Sequence, residues 1–173
     1  INSCLEQFAM TLKEKAAAAG LSGREQELEI GMSILSNYVP NCIVRAEVSC
    51  PVSELDINNE VAPEKFAKKI VQAVDIANAD PHRAVTHNKG IMNGVDAVVL
   101  ATGNDFRAVE AGVHAFAAKN GIYNSLTKAT IENGVFRFWI ELPLALGTVG
   151  GLTSLHPMVQ LAHEILQYPS AKQ

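Results

Sequence analysis

The chain has 173 residues and a formal net charge of −4, with 14 Lys and Arg against 18 Asp and Glu. No basic run exceeds Lys68-Lys69, which argues against nucleic acid or an anionic membrane surface as a partner. No apolar stretch approaches the roughly 18 residues that span a bilayer. The length fits one domain or parts of two; a self-contained domain of this size buries roughly two-thirds of its unfolded surface. Apolar residues make up 48% of the chain, and 12 glycines add to them, so the sequence calls for a large core or a surface given to a partner. The start, Ile1-Asn2-Ser3-Cys4, has neither an initiator Met nor a signal-peptide layout and reads as a chain beginning in the middle of something. Cys4, Cys42 and Cys50 lack C-x-x-C spacing and read as reduced cytosolic thiols packed as small apolar residues.

In chain order, Ile1, Leu5, Phe8, Leu12 and Ala16 recur at helical spacing, with Gly20 as C-cap. Residues 28–35 read as a strand and 37–41 as a loop. Residues 42–49 alternate like a half-buried strand, with Val44, Ala46 and Val48 inward and Arg45, Glu47 and Ser49 toward water. Two positions suit a domain boundary, the loop at 37–41 and the polar stretch at 51–59. Pro63 opens a helix with Phe66, Ile70, Val74 and Ala77 as its buried stripe, and Asp80-Pro81 ends it. Residues 86–94 show no clear period and read as a polar loop; 96–101 read as a short apolar strand, and 102–104 as a turn. Asp105 caps a helix striped by Phe106, Val109, Val113 and Phe116. Asn133-Gly134 marks a hairpin. The run Gly147-Thr148-Val149-Gly150-Gly151 is too glycine-rich for regular structure, and Pro157 starts a last helix with Met158, Leu161 and Ile165 inward. The pattern is that of an α+β protein.

Chemistry concentrates in His87-Asn88-Lys89-Gly90-Ile91-Met92-Asn93-Gly94. By itself a lysine beside a glycine reads first as a solvated turn residue. The functional alternative is a cation that meets an oxyanion, with Gly90 and Gly94 admitting a ligand to the backbone. Asp105 reads first as an N-cap, and a carboxylate near a lysine would also hold that lysine charged. His87 fits an acid or base less well than a structural role. The 147–151 loop can offer N–H groups to a phosphate or pantetheine, yet it lacks the G-x-G-x-x-G and P-loop patterns. No spacing describes a Ser/His/Asp triad or a metal cluster.

Taken together, these segments resemble a known family. Arg83-Ala84-Val85-Thr86-His87-Asn88-Lys89-Gly90-Ile91-Met92-Asn93-Gly94 is similar to the substrate-loop signature of class II (bacterial-type) 3-hydroxy-3-methylglutaryl-CoA reductases. Ala101-Thr102-Gly103-Asn104-Asp105-Phe106-Arg107-Ala108-Val109-Glu110-Ala111-Gly112 resembles the family's next block at the expected distance. Ile34-Leu35-Ser36-Asn37, and the 147–151 loop with His156-Pro157, resemble two more. The similarity runs from end to end.

That resemblance implies reduction of a thioester to an alcohol with two hydrides from NADPH or NADH, which turns HMG-CoA into mevalonate and CoA. It implies that Lys89 stabilises the developing oxyanion, that Asp105 is the acid bonded to it, and that Arg83 holds the substrate's terminal carboxylate. Asn93 joins the polar network around the lysine, while Asn37, Val149, Gly150 and Gly151 meet the cofactor. It further implies a cytoplasmic homodimer, or a higher oligomer, with the active site between subunits, no metal, and no nucleic-acid or membrane partner. Residues 1–40 would be the C-terminal part of a small ferredoxin-like cofactor domain, and 41–173 part of a larger α+β substrate domain. The family's catalytic glutamate falls upstream of Ile1 and its thiolate-protonating histidine beyond Gln173, so the sequence looks like a middle piece, inactive alone, whose partners include the rest of the same polypeptide. Leu152 stands where some relatives have glycine. The rival is a non-catalytic ligand-binding or interaction module of the same fold; a CoA acyltransferase comes third, since no Cys has a partnering His.

Overall fold

The computed structural model describes residues 2–20, 28–55 and 60–167. The chain divides into two compact units, residues 1–37 and 38–173. The first carries helix α1 (Asn2–Ala18), closed by Gly20 at φ +70°, a left-handed conformation that favours glycine. Leu5, Phe8, Leu12, Ile30 and Ile34 line a shallow cavity in this unit. Residues 28–35, expected as a strand, have no regular structure. Among the described residues of this unit no second strand exists to take their backbone hydrogen bonds, and a lone strand is not stable. Ile1, the expected first member of the α1 stripe, lies outside the described residues, as do residues 56–59 of the second candidate boundary.

The second unit is α+β. Strand β1 (Ile43–Pro51) leads through a 3-10 turn at Val52–Glu54 to α2 (Pro63–Ala79), α3 (Pro81–Ala101) and α4 (Phe106–Ala117). Strands β2 (Thr127–Glu132) and β3 (Val135–Pro143), then α5 (Leu152–Leu155) and α6 (Pro157–Leu166), complete it. The sheet is antiparallel in the order β1-β3-β2. Its hairpin turn has Asn133 at φ 52° and Gly134 at φ 76°, the double positive φ that an Asn-Gly pair supplies most readily.

The largest departure from expectation lies in α3. Residues 86–94, read as a loop, and 96–101, read as a strand, belong to one 21-residue helix. Asp80 starts it by accepting the His82 N–H at 2.9 Å, with Pro81 in the first turn. Ala84, Asn88, Met92 and Val99 are buried along it, with Val95 packed beside them. That stripe has the helical period, hidden in the sequence because a polar residue occupies an apolar slot. Gly90 and Gly94 each cost a helix interior roughly 1 kcal/mol relative to Ala, and burial of the stripe on α4, β3 and Leu126 outweighs them.

Asn88 is fully enclosed (0% exposed). Its Nδ2 donates to the Asn124 carbonyl at 2.9 Å, and its Oδ1 accepts the Leu126 N–H at 3.0 Å. One side chain thereby satisfies the backbone that enters β2. Beside it, His87 Nε2 meets Thr127 Oγ1 at 2.6 Å, and Asn78 of α2 donates to the Thr127 carbonyl at 3.2 Å.

Two expectations about facing need correction. Val44, Ala46 and Val48 share a sheet face with Leu142, Ile140 and Phe138, their register partners, yet all of β1 up to Ser49 is exposed. The helices pack on β2 and β3 and leave this edge strand uncovered. On the other face, Arg45 bridges Glu47 at 2.7 Å and Glu141 at 2.8 Å and lies 4.9 Å from the Trp139 ring centroid. In α6 the inward residue is Val159, not Met158, Leu161 or Ile165, which are exposed. The phase is set by Val159 against Gly103, where a Cβ would come within 3.1 Å of the valine. Of the cysteines only Cys50 packs against a core; Cys4 and Cys42 are exposed.

Asn88→Ala leaves the buried Leu126 N–H and Asn124 carbonyl without partners. Urea denaturation should show a loss of about 1–3 kcal/mol; a change within experimental error would remove Asn88 from its place as the α3–β2 tie.

Candidate active site

Lys89 and Asn93 lie one turn apart on the solvent side of α3, and both are exposed. Among the described residues Lys89 forms no hydrogen bond or ion pair; the three ion pairs are Arg45–Glu47, Arg45–Glu141 and Arg107–Asp105. Arg83 sits in the opening turns of the same helix, likewise exposed and, among the described residues, without an ion pair. Gly90 and Gly94 have no atom within 4 Å of where a Cβ would stand. Packing inside the chain therefore does not require their small size, and the face beside Lys89 stays flat.

Asp105 is the N-cap of α4, its Oδ1 accepting the Arg107 and Ala108 N–H groups at 3.1 Å each. Arg107 Nε stands 3.9 Å from that oxygen. The structure does not bring Asp105 to Lys89 within this chain. With 96–101 helical rather than extended, the rise from Lys89 to Ala101 is about 18 Å along the axis, and α4 begins beyond that far end. The expected fold-back that would join the two loops is absent because neither segment of α3 is a loop or a strand.

The glycine-rich loop begins beside the Asp105 turn. Asn104 Nδ2 donates to the Gly147 carbonyl at 3.0 Å, and Asn104 Oδ1 accepts the Gly147 N–H at 2.9 Å. Gly150 (φ +80°) and Gly151 (φ +56°) adopt left-handed conformations, with open space where a Cβ would be. Val149 is 91% exposed. The loop thus presents backbone that a dinucleotide can approach closely. Asn37, also exposed, belongs to the first unit. Among the described residues no group of three or more His, Cys, Asp and Glu side chains could hold a metal ion.

Sequence reasoning missed three features here. Two are the amide clamps of Asn88 and Asn104, invisible because their partners are backbone atoms 36–43 positions away. The third is a titratable cluster between α3 and α4. One Asp96 oxygen is enclosed without a hydrogen-bond donor. Its carboxyl faces Glu110, while His114 of the same helix bonds Tyr123 Oη at 2.8 Å. Burial, then the Glu110 carboxyl, push the Asp96 pKa above its ordinary value, with His114 opposing. The i, i+4 spacing of Glu110 and His114 was the one signal available. His87 shifts the other way: burial, then the Arg83 charge, lower its pKa.

Fold and site together define an α+β chain whose long central helix presents an exposed lysine on a flat face, followed by a carboxylate-capped helix and an open glycine loop. The family profile described as hydroxymethylglutaryl-coenzyme A reductase matches residues 1–173. The chain is 38% identical over 146 residues to the 3-hydroxy-3-methylglutaryl-coenzyme A reductase of Archaeoglobus fulgidus. It is 38% identical over 142 residues to a probable enzyme of that name from Borreliella burgdorferi. The matches cover 84% and 82% of this chain but 32% and 33% of those proteins, so it spans about a third of their length. Among solved structures, the class II enzyme of Streptococcus pneumoniae bound to NADPH in open conformations aligns with TM-score 0.80 and 38% identity, covering 99% of this chain and 44% of that one. Another structure of the Streptococcus pneumoniae enzyme aligns with TM-score 0.72 and 42% identity, over 80% and 38% of the two chains. The chain belongs to the hydroxymethylglutaryl-coenzyme A reductase family.

The signs of the two pKa shifts give a pH prediction. A carboxyl whose folded pKa is raised contributes stability that is complete below its unfolded value and is lost as pH rises through the folded value. Asp96→Asn should therefore raise the denaturation midpoint at neutral pH and flatten its dependence above about pH 4. His87, lowered, contributes stability above its unfolded value that is lost as pH falls, and His87→Gln should remove that acid-side slope. Unchanged pH profiles in both variants would count against these environments.

Proposed function

We propose that the full-length polypeptide carrying this sequence reduces 3-hydroxy-3-methylglutaryl-CoA to mevalonate and CoA. What carries the reading is Lys89, an exposed cation without a partner among the described residues, on a helix face kept flat by Gly90 and Gly94, in a chain of this family. Two helical glycines that no internal contact requires lower stability and find their reason in a ligand that approaches the helix. A fixed ammonium there meets the negative charge that grows on the carbonyl oxygen of a thioester under reduction, with little reorganisation at that moment. Asn93, one turn along, orients the same oxygen or the lysine, and Arg83 supplies the charge for the substrate's free carboxylate.

The reductant is NADPH or NADH, which supplies two hydrides for the four-electron change from thioester to alcohol. Val149, Gly150 and Gly151 hold it by backbone, consistent with the exposure of Val149 and the open, left-handed geometry of the two glycines. Asn37 is a cofactor-binding residue of a small ferredoxin-like domain to which residues 1–40 contribute. Residues 41–173 belong to the substrate domain. Because Lys89 and Asp105 do not meet in one chain, we assign their meeting to a site between two subunits of a cytoplasmic homodimer. The exposed apolar side chains Val98, Leu100, Met158 and Leu161 give such an assembly, or the rest of the polypeptide, surface to bury. No helix among the described residues is long and apolar enough to cross a membrane.

In the full-length enzyme, Lys89→Ala should lower kcat by ~10²–10³ with the fold retained; steady-state NADPH oxidation checks it, and near-normal rates would return Lys89 to a solvated helix residue. Asp105→Asn keeps a capping oxygen, so stability should fall within about 1 kcal/mol while turnover falls by orders of magnitude. Parallel losses of stability and turnover would leave the cap as its one supported role.

A further inference from the structure

We propose that Asn104 is a positioning residue for the nicotinamide cofactor: its side chain holds the glycine-rich loop 147–151 against the turn that carries Asp105. The inference rests on the functional reading above and extends it to a residue that reading does not use.

The amide of Asn104 bonds both backbone groups of Gly147, donating to the carbonyl at 3.0 Å and accepting the N–H at 2.9 Å. A side-chain amide is the group whose donor and acceptor match one residue's two backbone groups, as a neighbouring strand would. The amide is itself held in orientation. Its Nδ2 also lies 3.2 Å from the Thr102 carbonyl and 3.2 Å from Thr102 Oγ1. Thr102 is buried, and its hydroxyl donates to the last turn of α3, with Val98 and Val99 carbonyls at 2.8 and 3.1 Å. The Asn104 N–H donates to the Val99 carbonyl at 3.0 Å. The donor–acceptor sense of the clamp is thereby anchored to α3.

Among the described residues, no other side chain from outside the 147–166 segment bonds to the loop. Its remaining bonds are local: Thr153 Oγ1 to the Gly150 carbonyl, and Ser154 Oγ and the Ser154 N–H to the Gly151 carbonyl at 3.0 and 3.3 Å. Downstream, α6 returns to the same turn, where Val159 packs on Gly103. The loop is thus pinned at its first residue by Asn104 and at its exit by Gly103, while Val149 to Gly151 between them stay open. Asp105 follows Asn104 directly, so the clamp sets the cofactor loop and the capping carboxylate in one register. Without it the loop keeps its local turns and loses its place relative to Asp105.

The test compares the full-length enzyme with Asn104→Ala and Asn104→Asp; the aspartate keeps the acceptor for the Gly147 N–H and loses the donor. In Asn104→Ala the KM for NADPH should rise about 10-fold or more, with the KM for HMG-CoA within about twofold, because two neutral hydrogen bonds to one loop are lost. Asn104→Asp should fall between. Hydrogen exchange of the Gly147 amide should lose protection in Asn104→Ala. Equal rises in both KM values, or an unchanged NADPH KM with unchanged exchange, would overturn the proposal. If Asn104→Ala does not fold, Asn104→Asp decides by the same ratio of KM values. A wild-type enzyme that turns over while neither variant shows the split sinks this inference alone; a wild type that binds neither NADPH nor NADH sinks the functional reading and this role with it.

Discussion

The interaction on which the second unit depends is the pair of hydrogen bonds from the Asn88 side chain to the backbone at Asn124 and Leu126. A fully enclosed amide in the middle of an apolar stripe is costly unless both its donor and its acceptor are used. Here they are, and by the chain that is about to enter the sheet. The bond fixes α3 in rotation as well as in place, because a helix turned by one residue would carry the Asn88 amide about 100° around the axis and leave the β2 entrance unpaired. His87 on Thr127 and Asn78 on the Thr127 carbonyl add to the same junction.

Once α3 is fixed in rotation, the rest of the site follows. The stripe of Ala84, Met92 and Val99 faces inward, so Lys89, Asn93, Gly90 and Gly94 face out. The motif that resembles a substrate signature is thereby divided between two tasks. Its His87 and Asn88 hold the fold, and its Lys89 and Asn93 lie exposed on the outer face of α3. This division explains why the motif combines polar residues that share no environment.

The far end of α3 is a second junction, built from Thr102, Gly103 and Asn104. Each residue serves a different partner: Thr102 closes α3, Gly103 admits α6 through its missing Cβ, and Asn104 takes the glycine-rich loop. Asp105 then starts α4, which runs back along α3 and places Glu110 against Asp96. Two junctions separated by several helical turns account for the distance between the cation and the capping carboxylate within one chain.

Much of this was legible from local pattern. The hairpin at Asn133-Gly134, the Asp105 cap and the α2 and α4 helices all follow from short-range rules: φ preference, capping chemistry and apolar period. The resemblance to the family was legible too, since ordered motifs do not depend on knowing their conformation. The α3 helix was hidden because its buried stripe passes through Asn88 and its outer face carries two glycines, residues whose local preference is for turns. Only the backbone of β2 and its approach, 36–38 positions away, makes an asparagine a core residue there. Tertiary packing likewise decided the bareness of β1, the phase of α6 and the Asn104 clamp. Burial and backbone-to-side-chain bonds between distant segments are properties of the packed chain, whereas propensity and capping are written residue by residue.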